Sequence, residues 1–284
     1  MNKVETIIIV IQYIEDHLTE KLDLTTIAQA VGYSKYHLHR LFFDSVGLSM
    51  HQYVQRRKLT EAAKLLVFTQ LSIIEISLIA GYESQQAFTN VFKQMYKKSP
   101  LEYRLNEKFY PLQLPFDFQE KTPQLSLDKH ISEKIIHATN DDISLWMQLV
   151  YLIVDGYPHF HENEYRQTLE REIRERRAFI LKNDEMAIAV MSIHGDKKNI
   201  DFFGVHPLYR KMGIAKIFLD KMINDKWLDY DISITTYRKG DKADTGYRKI
   251  YQDLGFVEAE LLMEFGYPTQ RFILSSRGND YGKE

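Results

Sequence analysis

The sequence predicts two domains of different class, an all-α unit followed by an α/β unit. Three observations lead there. A helix–glycine–helix pattern is written twice, as Ile27-Ala28-Gln29-Ala30-Val31-Gly32-Tyr33-Ser34 and Ile76-Ser77-Leu78-Ile79-Ala80-Gly81-Tyr82-Glu83-Ser84, its glycines 49 residues apart. Pro111, Pro115 and Pro123 then interrupt any helix over residues 109–127. Beyond them, strand-like runs alternate with helical ones, the pattern of an α/β (α+β) unit with a mixed sheet.

In order along the chain, Ile7-Ile8-Ile9-Val10-Ile11 comes first, flanked by Glu5, Gln12, Glu15 and Asp16. It is too short for a membrane span, lacks signal-peptide flanks and reads as a buried first helix, so no membrane partner is expected. Each repeat then supplies a short apolar helix, a glycine suited to φ > 0 and a serine-started second helix, the helix-turn-helix arrangement. Ser49-Met50-His51-Gln52, Ser72-Ile73-Ile74-Glu75 and Ser99-Pro100-Leu101-Glu102 have the capping-box form. Residues 50–69 read as a long helix holding the two units at a fixed separation. The second domain is expected to run from a strand near 134–139 through helices at about 141–153 and 160–176. Strands near 177–182, 185–194 and 199–206 follow, then a helix at 211–226, a strand at 230–236 and a helix at 243–254. Strands near 256–265 and 269–275 close it. The expected division is therefore residues 1–108, a linker at 109–127, a second domain at 128–276 and a tail at 277–284.

Composition narrows the functional classes. The chain has 284 residues, 44% of them hydrophobic, and no cysteine. Packed cores are expected, disulfides and thiolate chemistry are excluded, and a cytoplasmic location fits. Residues 1–110 carry 13 Lys+Arg against 11 Asp+Glu, and residues 111–284 carry 24 against 28. Charge alone does not point to nucleic acid.

The helix faces do. In the second copy Phe88, Val91, Phe92 and Met95 follow a helical core stripe, leaving Gln85, Gln86, Thr89, Asn90 and Lys93 outside. Gln and Asn can bind adenine bidentately, and Thr can meet a thymine methyl. In the first copy Leu38, Leu41 and Phe42 point inward, leaving Lys35, Tyr36, His39 and Arg40. Arg40 can reach guanine or a phosphate, and Lys35 suits a phosphate. Double-stranded DNA is the expected partner. Two readers in one chain allow binding as a monomer, and a homodimer is equally compatible.

Residues 24–107 resemble the tandem helix-turn-helix domain of the AraC/XylS family of transcriptional regulators. The matching residues are Gly32-Tyr33-Ser34, Tyr36-His37-Leu38, Arg40-Leu41-Phe42, Gly47-Leu48-Ser49, Arg56-Arg57 and Ala62-Ala63-Lys64-Leu65-Leu66. They continue with Ile74-Glu75-Ile76, Ala80-Gly81-Tyr82, Phe88, Val91-Phe92-Lys93, Ser99-Pro100 and Tyr103-Arg104. The run Gly81 to Gln86 looks like the small monomeric stress regulators of that family. Ser77, Phe43 and Asn90 depart from it, standing where Ala, Lys and Arg are usual, so a target sequence does not carry over.

In the second domain Val205-His206-Pro207-Leu208-Tyr209-Arg210-Lys211-Met212-Gly213-Ile214-Ala215 places a glycine at the start of a helix, where free amides can bind an anion. Arg210-x-x-Gly213-x-Ala215 after Val205-x-Pro207 is similar to the acetyl-CoA signature of the GNAT acetyltransferases, and Tyr251-Gln252-Asp253-Leu254-Gly255-Phe256 is similar to a second one. The resemblance implies that Arg210, Lys211, Met212, Gly213, Ile214 and Ala215 hold the pyrophosphate of acetyl-CoA and that Phe203, Gly204 and Val205 pair with its pantetheine. Asp244 stands where an Asn often contacts the cofactor. Tyr251 matches the usual acid, and Asp201 stands where a basic Glu is often found, for a small-molecule amine acceptor. The resemblance leaves three readings of this domain: an active acetyl-CoA-dependent N-acetyltransferase, a ligand sensor that uses acetyl-CoA or a small amine to bias DNA binding, or a fold kept without activity for effector binding or oligomerisation. His159 and His161 suggest no third ligand, so no metal is expected.

Overall fold

Local chemistry sets the helix starts in the first domain. The computed structural model describes residues 3–116, 130–153, 162–183, 186–195, 199–225, 232–264 and 267–275. Seven helices occupy the described part of the first unit: α1 (Lys3–Asp16), α2 (Leu24–Ala30), α3 (Lys35–Val46), α4 (Met50–Phe68), α5 (Ile73–Ile79), α6 (Gln85–Tyr96) and α7 (Pro100–Leu105). Asp23 caps α2, Ser34 caps α3 and Ser84 caps α6, each accepting from a backbone amide three residues on. The three expected capping boxes all close, at the starts of α4, α5 and α7.

The two turns end α2 and α5 in the same way. Gly32 and Gly81 sit at φ 73° and 78°. Tyr33 N donates to Ala28 O at 2.9 Å, and Tyr82 N donates to Ser77 O at 3.0 Å. This six-to-one bond over a left-handed glycine satisfies carbonyls that the helix end would otherwise leave orphaned. Around these turns, Ile7, Val10, Ile11 and Ile14 of α1 are buried, as are Leu38 and Phe42 of α3. The second half closes on Leu59, Ala62, Ala63 and Leu66 of α4, with Ile76, Phe88, Phe92 and Tyr103.

Residues 109–116, expected to begin the linker, are instead bound to α4. Tyr110 and Leu112 enter the second-half core. The amides of Leu112 and Gln113 both donate to Thr60 Oγ1, at 3.0 and 3.1 Å, and Arg57 Nη1 donates to Gln113 O at 3.0 Å. The prolines remove helical periodicity, and tertiary hydrogen bonds then hold the extended backbone.

From residue 130 the chain builds a second compact unit. Its elements are β1 (Ile136–His137), α8 (Ile143–Ile153), α9 (Glu162–Arg174), β2 (Ala178–Lys182), β3 (Ala187–Ile193) and β4 (Ile200–Val205). They continue with α10 (Ile214–Asn224), β5 (Ile232–Tyr237), α11 (Tyr247–Asp253), β6 (Val257–Glu264) and β7 (Tyr267–Leu274). Every expected strand and helix is present, with bounds shifted by a few residues. The strands form two antiparallel sheets, ordered β1-β2-β3-β4 and β5-β7-β6. A parallel bridge between Asn199 and Ser233 joins them. Alternation along the strands splits the packing. Met191 and Phe203 join Phe218 and Met222 of α10 in one core. Phe202 instead meets the Tyr165 ring of α9, and Gly204 lies against Ile153 of α8.

Candidate functional sites: two exposed helix faces and a splayed strand pair

α3 and α6 each bury one stripe and present the other. Leu38 and Phe42 of α3 are fully buried, whereas Lys35, Tyr36, His39 and Arg40 are exposed, Tyr36 to 92%. On α6 Phe88, Phe92 and Met95 are buried, while Gln85, Gln86, Asn90 and Lys93 are exposed and Thr89 is half-buried. The nine side chains expected to face DNA therefore lie on the outer faces of helices that follow matched turns. Sequence reasoning missed what steadies this unit. Arg57 is buried in α4 and grips Glu15 of α1 at 2.7 Å, while Lys58 Nζ reaches Glu20 O at 2.7 Å. Both cations sit in a helix that also carries exposed charge, and periodicity does not separate inner from outer there.

In the second unit β4 and β5 part beyond the Asn199–Ser233 bridge, each hydrogen-bonded into its own sheet. The β5-facing edge of residues 201–205 has no strand partner among the described residues. A 3₁₀ helix over Pro207–Met212 follows β4. Burial, and then the charge of Arg210, push the His206 imidazole down to about 3. The ring is therefore neutral near pH 7, and its Nδ1 accepts the Leu208 amide at 3.3 Å. The Arg210 guanidinium turns back onto Val205 O and lies 5.9 Å over the Tyr247 ring. Gly213 caps α10 at φ 72°, provides no side-chain cap, and would place a Cβ with no heavy atom within 4 Å. The amides that open α10 thus meet an uncrowded approach. Ile214 is buried, Met212 and Ala215 are half-buried, and the Lys211 side chain lies outside the described part.

The remaining expected residues separate into different surroundings. Phe203 and Val205 face the α10 core, and Gly204 is buried on the opposite face. Asp244 Oδ1 accepts the amides of Gly246 and Tyr247, both at 2.9 Å, so this carboxylate opens α11. The Tyr251 ring is buried against Phe256 and Phe272. Asp201 is hydrogen-bonded at 2.9 Å to His194 Nδ1. His159 and His161 lie outside the described residues. Sequence reasoning missed His194 and Glu172. Glu172 is buried on α9 three residues after buried Leu169, on an otherwise charged helix. That inward spacing was the available signal.

The first unit is thus a tandem helix-turn-helix reader. A helix-turn-helix domain family matches residues 27–106. The transcriptional activator AarP of Providencia stuartii is 43% identical over 101 residues, covering 36% of this chain and 75% of that protein. The HTH-type transcriptional regulator YbfP of Bacillus subtilis is 39% identical over 111 residues, and the match spans 39% of this chain and 38% of that one. Among solved structures, a GNAT-family acetyltransferase from Bacillus cereus aligns at 18% identity and a TM-score of 0.38, over 50% of this chain and 95% of that one. The chain belongs to the helix-turn-helix transcriptional regulators of the AraC/XylS type. Among the described residues no helix is long and apolar enough to cross a membrane.

Proposed function

We propose that the protein is a cytoplasmic, sequence-specific DNA-binding transcriptional regulator whose second unit binds acetyl-CoA. The exposed faces of α3 and α6 behind matched turns carry the first half of this reading. α4 spans the interval between the two readers, so one chain presents two helices to successive major grooves about one turn of duplex apart. Gln85, Gln86 and Asn90 supply adenine-reading amides, Arg40 a guanine or phosphate contact, and Lys35 a phosphate contact. In the selected operator, Gln86→Ala should relax preference at one base position by about 1–3 kcal/mol, and Lys35→Ala should weaken all duplexes with a shallower salt dependence. Fluorescence anisotropy over a salt series checks this. Equal affinity of the full chain for selected and random duplex would sink the reading.

The second half rests on the free edge of β4 leading to the open amides at Gly213. Residues 210–215 fit a pyrophosphate through backbone N–H groups, and residues 203–205 fit an amide-bearing chain along the strand edge. Acetyl-CoA would bring a thioester carbon open to attack by an amine. Gly213→Glu should lower acetyl-CoA affinity by about two orders of magnitude, because it sets a carboxylate where the phosphates would lie. Gly213→Ala controls for backbone strain. Calorimetry reads binding, and thiol release with a panel of small amines reads turnover. Binding without thiol release identifies a sensor. No binding at millimolar acetyl-CoA leaves the unit to effector binding or assembly.

A further inference from the structure

Residues 109–116 run from the end of α6 to the core beneath α3. At the first end Tyr110 accepts from the Tyr103 hydroxyl through its carbonyl at 2.9 Å and donates its amide to the same oxygen at 2.8 Å. Its ring centroid lies 5.2 Å from that of Tyr96, the last residue of α6, and each of the two hydroxyls donates to the other's carbonyl at 3.4 Å. In the middle, the Leu112 and Gln113 amides donate to Thr60 of α4, and Gln113 O accepts from Arg57. At the far end Phe116 stacks on Tyr53 of α4, with centroids 5.6 Å apart and planes within 16°. Its amide donates to the Tyr53 hydroxyl at 3.4 Å. Tyr53 in turn meets Phe42 of α3 edge-on at 5.6 Å. Tyr53, Thr60, Tyr103, Tyr110, Leu112 and Phe116 are each no more than 8% exposed, so this extended segment is packed as core rather than laid over the surface.

α4 also runs through both halves, its Tyr53 and Arg57 held by the first and its Leu59, Ala62, Ala63 and Leu66 by the second. Packed helices slide and roll against one another at modest cost, so one shared rod leaves the two halves some freedom about its axis. A second connection, set apart from the rod and made through backbone hydrogen bonds, removes that freedom. We infer that residues 109–116 brace α3 against α6, and that Tyr53, Thr60 and Phe116 are positioning residues that fix the half-site spacing the protein accepts on DNA. None of these three side chains lies on the outer faces of α3 or α6, so they act through the two helices and touch no base. Half-sites on one face of a duplex recur once per turn, and two added base pairs rotate one of them by about 70° around the axis. A braced pair of helices rejects that rotation, whereas a loose pair follows it.

The spacing role rests on the two-groove reading of the protein, and the brace itself does not. The chain has no cysteine, so spin labels can be placed cleanly at His37→Cys on α3 and Gln94→Cys on α6, exposed positions outside the expected DNA contacts. Double electron–electron resonance on the full chain without DNA should give one narrow distance distribution. Thr60→Val removes the shared acceptor and Phe116→Ala removes the stack, at separate points of the brace. Each should at least double the width, while Phe116→Tyr leaves it narrow, and helical circular dichroism verifies that each variant is folded. Equal widths throughout overturn the brace. On the selected operator, two base pairs inserted between the half-sites should cost the unaltered protein at least about tenfold in affinity, and Phe116→Ala should shrink that penalty to about threefold or less. An unchanged penalty beside a broadened distribution overturns the spacing role. An unaltered protein indifferent to the insertion, with narrow distances that the variants broaden, supports the brace and removes only the two-groove reading.

Discussion

Arg57 explains why the first unit holds its shape around a buried charge. Its Nε meets both Glu15 oxygens at 2.9 and 3.0 Å, its Nη2 meets Glu15 Oε2 and Glu61 Oε1, and its Nη1 meets Gln113 O. Tyr53 adds a hydroxyl to Glu15 Oε1 at 2.8 Å. Burial works against the guanidinium charge, and the Glu15 hydrogen bonds outweigh it, so its pKa is raised. A buried ion pair adds little over an apolar pair, but removing one partner strands the other. Glu15→Ala should therefore cost about 3–5 kcal/mol, and Glu15→Gln less, because an amide oxygen still accepts. Urea unfolding followed by helical circular dichroism measures both. A loss below about 1 kcal/mol would mean that Glu61 alone neutralises Arg57.

At the level of elements, the two turns look alike in sequence but differ in their surroundings. A Cβ on Gly32 would meet nothing within 4 Å, whereas one on Gly81 would lie 2.8 Å from Lys58 Nζ. Alanine in the left-handed region costs roughly 1–2 kcal/mol at either site. Gly81→Ala should cost more than Gly32→Ala, because Lys58 must also leave its bond to Glu20 O. Parallel denaturation curves decide it, and equal losses would show that Lys58 relaxes freely. Caps and turns were legible because Ser49, Ser72 and Ser99 each find their partner three residues away. The bulge at Asp201, where Ser192 pairs with Phe202 and Ile193 with Ile200, was not. It exists because β3 and β4 close with one residue too many, a fact about pairing rather than about either strand.

Across the whole molecule, the succession of an all-helical unit and an α/β unit could be read from the repeat and from the alternation after it. The outward faces of α3 and α6 could be read too, because a helical stripe separates inside from outside without tertiary knowledge. Asp244 shows a limit of such reading: its place in a motif suggests a ligand contact and does not announce that its Oδ1 accepts the amides of Gly246 and Tyr247. The boundary after α7 shows the same limit, because prolines mark irregular backbone without saying whether it is anchored. That anchoring governs where the gene can be cut. A fragment ending at residue 108 would strip Tyr110 and Leu112 from the core, leave Thr60 Oγ1 without its two amide donors and free Arg57 Nη1 from Gln113 O. Ending at 116 keeps all of them, and Phe116 N on Tyr53 OH besides. Of two otherwise identical fragments, the one eight residues longer should melt several degrees higher and resist protease, though every added residue lies outside the seven helices.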